Sequence, residues 1–125
     1  MPTKDRLRDF IAAVESGDHV GAIERFYHDD ASMQENQNPP HVGRLNLMER
    51  ERQALAKFKM KTHPAKHALL DGDLVVINWI FEMTDEEGRM KRLEELSIQE
   101  WRGDKVYREQ FYYDPQQLKT FITPS

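Results

Sequence analysis

Apolar residues recur at helical spacing in the first part of the chain and at alternate positions in most of the rest. Leu7, Phe10, Ile11 and Val14 form one helical stripe, with Thr3 placed to cap it and Asp5 in its first turn. Gly17 ends that helix and Asp18 caps a second, whose stripe is Val20, Ile23 and Phe26. Asp29-Asp30 breaks the second helix and leads into a short strand. Asn38-Pro39-Pro40-His41-Val42-Gly43 is a turn-rich loop. Asn46, with Glu49 three residues on, reads as a capping box for a third helix. Leu47, Met48, Ala54, Leu55 and Phe58 lie on one side of it. The run Glu49-Arg50-Glu51-Arg52 reads as its solvated face.

From Lys59 the period becomes that of strands. Lys61 to Leu70 reads as one strand, and Asp71-Gly72 as a hairpin turn. Leu74 to Met83 is the most apolar strand and is expected to sit centrally. After a turn at Asp85-Glu86-Glu87-Gly88, a long strand runs from Arg89 to Arg102. Gly103-Asp104 turns the chain into a last strand, Val106 to Asp114, which Pro115 stops. Leu118, Phe121 and Ile122 suggest a short terminal helix or docking tail. Three helices followed by hairpin-linked strands indicate an α+β fold, a single domain over residues 1–125. Strands this long form a curled, mostly antiparallel sheet. Helices packed on its concave side make a cone with an internal cavity.

Composition narrows the class. Of 125 residues, 38% are hydrophobic and 32% charged, as in a globular protein with a charged surface. A formal net charge of -4 implies no basic face, which argues against a nucleic-acid partner. No apolar run is long enough to span a bilayer, and Met1-Pro2-Thr3-Lys4-Asp5 lacks the apolar core of a signal peptide. Without cysteine there is no thiolate or disulfide chemistry. A cytoplasmic enzyme or binding domain is expected.

The stretch from Asp29 to Asn36 is the most informative. In a strand Met33 and Glu35 point one way, and Ser32, Gln34 and Asn36 the other. Ala31 and Met33 mark the inward side, so Glu35 is expected to go inward with them. A carboxylate is costly to bury unless it is paired or used. His63 and His67 have the i, i+4 spacing of a helical zinc pair, but Pro64 places them on a strand without a third ligand. No metal is expected. No Gly-rich phosphate loop or nucleophile elbow is present, and no cofactor is expected.

Several segments together resemble the nuclear transport factor 2-like superfamily, which includes the ketosteroid isomerases and the SnoaL-like polyketide cyclases. Phe10-Ile11-Ala12-Ala13-Val14-Glu15-Ser16-Gly17-Asp18 resembles its first helix and Gly-Asp junction. Phe26-Tyr27-His28-Asp29-Asp30-Ala31-Ser32 is similar to its helix-to-strand step, and Pro40-His41-Val42-Gly43 to the loop before its third helix. Tyr112-Tyr113-Asp114 resembles the end of its last strand. Superposed on the isomerases, Glu35 takes the place of the general base. Phe10 takes that of the oxyanion-binding tyrosine, without its hydroxyl, and Ser97 that of the second hydrogen-bonding acid. The resemblance also implies a cavity wall of Ile77, Trp79, Phe81, Glu95, Ser97, Gln99, Trp101, Glu109, Phe111 and Tyr113. Phe10, Met33, Trp79, Phe81, Glu95, Gln99, Glu109 and Phe111 are then the substrate-binding candidates. Tyr113 or Ser97 would hold an oxyanion in place of the missing hydroxyl.

Two readings stay open for these groups. Glu35, Glu95 and Glu109 could converge as paired carboxyls supplying an acid and a base. Alternatively, Glu95 and Glu109 lie near sheet ends and pair with Lys91, Arg92 or Arg108, while the aromatics fill a core. In the first case the protein is a cofactor-independent enzyme acting on a small hydrophobic molecule. In the second it is a non-catalytic ligand-binding or dimerisation domain. The outer sheet face, with Val76, Asn78, Ile80, Glu82, Leu96, Ile98, Tyr107 and Tyr112, is too apolar for a solvated face and suggests a homodimer.

Overall fold

A computed structural model describes residues 1–123. Thr3 caps α1 (Lys4–Glu15), its side chain accepting from the Arg6 amide at 3.0 Å. Asp18 caps α2 (His19–Phe26) by accepting from the Gly21 amide at 2.9 Å. Gly21 is needed for this, because a Cβ there would collide with the Asp18 carboxyl. Helix α2 passes without a break into β1 (Tyr27–Glu35). The strand thus starts before Asp29-Asp30, and those two residues are exposed positions within it. A short β2 (His41–Val42) pairs with β1 and leads to α3 (Arg44–Lys57).

Helix α3 starts earlier than the capping-box pattern implied. Gly43 occupies the N-cap with φ 101°, and its carbonyl accepts from the Leu47 amide at 2.9 Å. Its own amide donates to the Ala31 carbonyl of β1 at 2.9 Å. Asn46 donates instead to the Val42 carbonyl. The strand expected over Lys61 to Leu70 is two strands, β3 (Lys59–Thr62) and β4 (His67–Asp71). Pro64 lies between them, and proline cannot donate to a ladder. Both strands pair with β5 (Leu74–Thr84).

The sheet is completed by β6 (Met90–Arg102) and β7 (Lys105–Tyr112), in the order β2-β1-β7-β6-β5-β3, with β4 also on β5. All pairings are antiparallel except β1 with β7. The sheet is curved and unclosed, and with three helices it makes an α+β fold. Burial alternates along β6: Glu95, Ser97, Gln99 and Trp101 are buried, while Leu96, Ile98, Glu100 and Arg102 are exposed. The inward row therefore carries three polar residues into the space under the helices. Beyond Tyr112 the chain keeps following the edge of β6. There Gln117, on a 3-10 turn (Pro115–Lys119), bonds both the amide and the carbonyl of Glu94, at 2.9 and 3.0 Å. Ile122 forms one further bridge with Met90. Among the described residues no helix is long and apolar enough to cross a membrane.

Candidate functional site

The helices and the inner sheet face enclose a cavity of about 390 Å³. Phe10 of α1, Met33 of β1, Trp79 and Phe81 of β5 and Phe111 of β7 contribute apolar surface. Trp79 and Phe81 stack with ring centroids 5.9 Å apart. Four carboxyl groups face the same space: Glu35, Glu51, Glu95 and Glu109.

Glu109 is only 1% exposed and sits at the centre of a hydrogen-bond network. The Tyr27 hydroxyl donates to Oε1. The Ser97 hydroxyl donates to Oε2 at 2.5 Å, and the Gln99 amide to the same oxygen at 2.6 Å. Behind these, Trp101 Nε1 donates to Gln99 Oε1 at 2.9 Å. Burial pushes the Glu109 carboxyl above its ordinary range, and the bonds from Ser97, Tyr27 and Gln99 work against that shift. Burial, and then the charge of Glu109, hold the Tyr27 phenol well above its usual value. Ser97 and Gln99 are fully buried under Glu109, so they position it rather than face the cavity.

Glu95 differs from Glu109 in its partners. It is 8% exposed, and among the described residues its carboxyl has no hydrogen-bond or ion-pair partner. Its cross-strand neighbour on the same face is Trp79. Burial pushes its pKa up to about 8, and the nearby carboxyls of Glu109, Glu35 and Glu51 add to the shift. The pairing with Lys91, Arg92 or Arg108 does not form: Arg108 lies 3.8 Å from Glu100 on the outer face.

Glu35 points toward the cavity as the alternation implied, but it lies exposed at the mouth. The expectation that it is desolvated is corrected: β1 reaches the rim of the cone within two residues of Met33. The Tyr113 hydroxyl donates to Glu35 Oε1 at 3.3 Å. Partial burial, then the Glu35 charge and this bond, push Tyr113 up to about 12. Tyr113 and Glu35 thus form a pair at the rim, away from Ser97.

The solvated face assigned to α3 also needs correction. Glu51 is half-buried and lines the cavity, where its Oε1 is 3.1 Å from His19 Nδ1. The other ring nitrogen of His19 lies 2.8 Å from Thr62 Oγ1. The signal was present in the sequence. Leu47, Glu51, Ala54 and Phe58 share one helical stripe, as do His19, Ile23 and Phe26. Tyr27 was missed because the strand was expected to begin only at Asp29, although Tyr27 shares the inward parity of Ala31, Met33 and Glu35. Arg50 and His41 are further polar groups on the lining.

The family model of the SnoaL-like domain matches residues 7–109. The chain belongs to the SnoaL-like domain family. Solved structures repeat the architecture of this SnoaL-like domain. One, described as a SnoaL-like polyketide cyclase from Mesorhizobium loti, has 21% identity and a TM-score of 0.76 over 90% of this chain and 100% of that one. Another, described in the same words, from Jannaschia sp. CCS1, reaches a TM-score of 0.82 at 11% identity, over 100% and 97% of the two chains. An LEH-like epoxide hydrolase from M. tuberculosis gives 0.75 at 11%, over 92% and 84%. At these identities the likeness establishes the fold of the SnoaL-like domain alone. No curated protein matches the sequence.

Proposed function

We propose that this SnoaL-like domain takes a largely apolar small molecule into its cavity and exchanges a proton with it through Glu95, without a bound cofactor. The observation that carries this reading is the Glu95 carboxyl: nine-tenths buried, facing the cavity, and without a partner among the described residues. A group held at about 8 keeps its proton near neutral pH, which suits donation to a carbonyl or leaving-group oxygen as charge develops there. Glu109, held in place by its three donors, is a neighbouring carboxyl whose charge, where it ionises, favours the proton on Glu95. Glu35 and Tyr113, at the mouth, are the pair through which protons would return from water. Isomerisation and cyclisation are the reaction types that need only such transfers.

Carbon-detected NMR titration of the glutamate carboxyls tests the assignment. Glu95 is expected to ionise near pH 8. Ionisation in the ordinary carboxylic range overturns the reading. Hydrogen–deuterium exchange at the α-carbon of aryl ketones then tests chemistry, where Glu95→Gln should cost about 10²-fold or more. Binding that survives in a domain with no exchange of any kind would favour the non-catalytic reading.

A further inference from the structure

The cavity carries more acid than it can satisfy. Of its four carboxyls, Glu109 has three hydrogen-bond donors and Glu51 has His19. Glu35 has only the Tyr113 hydroxyl, and Glu95 has nothing among the described residues. The basic groups on the lining do not redress this. His19 is engaged at both ring nitrogens, Arg50 is an exposed residue of α3, and His41 lies on the edge strand β2 opposite Met33. An anionic ligand would enter against three carboxyls that act on Glu95, those of Glu109, Glu35 and Glu51. A cationic one would relieve that repulsion.

The wall beside Glu95 suits a cation for a second reason. Trp79 is its cross-strand neighbour, stacked in turn on Phe81. An indole face is the best side-chain surface for an organic cation, and the attraction grows where water is excluded. A lone carboxyl next to a buried indole is a combination that takes an alkylammonium group: charge on one side, apolar methylenes or methyls on the other.

Building on the cavity reading above, we propose that the ligand of this site is a hydrophobic organic cation, a protonated or quaternary amine, whose charge lies between the Glu95 carboxyl and the Trp79 ring. Entry of such a cation displaces the Glu95 proton to water, so the bound form holds a Glu95 carboxylate. The acid of the empty cavity thereby becomes a base beside the ligand's charged end. The charged and titratable groups around it are Glu35, Tyr27, His41, Glu51, Arg50, Glu109, His19 and Tyr113, from β1, β2, α3, β7, α2 and the segment after β7.

Calorimetry with three probes of matched shape tests this: benzyltrimethylammonium, neutral neopentylbenzene and anionic phenylacetate. At about pH 9 the cation should bind at least about tenfold more tightly than the neutral isostere, and phenylacetate should be weakest. Because Glu95 must lose its proton, cation affinity should rise about tenfold from pH 7 to pH 9 while neutral affinity stays flat. Runs in buffers of different ionisation enthalpy should show close to one proton released at pH 7. Glu95→Gln should remove the preference and the proton release, while neopentylbenzene binding persists as a check on the fold. Equal or tighter binding of neopentylbenzene or phenylacetate overturns the proposal. If Glu95 still titrates near 8 in that case, the proton-transfer reading stands and only the cationic ligand fails. If Glu95 titrates in the ordinary range, both fail.

Discussion

Trp101 Nε1 donates to Gln99 Oε1 at 2.9 Å, and this bond fixes which way round the Gln99 amide lies. An indole N–H can only donate, so it selects the amide oxygen and leaves the NH₂ group to face Glu109. Gln99→Leu removes one of three donors from a buried carboxyl and should destabilise the fold by about 1–3 kcal/mol. Gln99→Glu should be worse, since it puts a second acid against Glu109. Urea unfolding of the two variants checks the order; equal stability of Gln99→Glu and wild type would remove Glu109 from the centre of the network.

Stability should fall as pH rises. The folded state holds the Glu95 proton until about pH 8, whereas a glutamate in the unfolded chain releases it at about 4.5. Between those values the folded chain binds more protons than the unfolded one, so the gain present below the lower value is lost as pH climbs through the upper. Glu109, also raised, acts in the same sense. Asp85, lowered by its bonds with Arg89 and Glu87 against a desolvation effect that raises it, acts in the opposite sense but only in the acid range. The Glu95 contribution is roughly 3–5 kcal/mol at full ionisation. Thermal melts across pH 5 to 9 should slope downward in wild type, and much less so in Glu95→Gln.

Gly43→Ala should cost about 1–3 kcal/mol. Its φ of 101° is unfavourable for any side chain, although the space around it is open apart from Asn46 Cβ at 3.9 Å. A shift of φ to a value that alanine tolerates would tilt the start of α3 and move the neighbouring His41 on the lining. Chemical denaturation gives the cost; a loss below a few tenths of a kcal/mol would mean the loop relaxes freely.

We propose that the outer sheet face pairs two copies of the chain. Leu96, Ile98 and Tyr112 are exposed there, although Asn78 and Ile80 on the same face are already buried within one copy. Light scattering at micromolar concentration should give twice the chain mass of 14.8 kDa. Ile98→Asp should return it to the single-chain value. A wild-type monomer under these conditions ends the proposal.

Three helices followed by hairpin-linked strands were legible in the residues, whereas the inward row of β6 and the aromatic wall were implied by the superfamily resemblance and agree with the period-2 burial of a covered face. What escaped depends on position along an element rather than on its side. Glu35 and Glu109 both point inward, yet one is at the rim and the other at the base. Alternation gives the side of a strand and says nothing of depth. Glu51 was concealed because charged neighbours outvote one inward residue in any local average. The split between β3 and β4 was written in Pro64, whose missing N–H interrupts a ladder whatever the strand propensity of its neighbours.

The parallel pairing of β1 with β7 joins the beginning of the sheet to its last strand. During synthesis β1 must wait, unpaired along that edge, until β7 has left the ribosome. Glu109, Phe111 and Leu118 emerge in the same late stretch, so the cavity does not exist on any shorter nascent chain. The high sequence separation of this closing contact predicts slow folding. A stalled or shortened chain should expose the apolar lining of α1 and α2, and chaperone capture should end abruptly once β7 is complete.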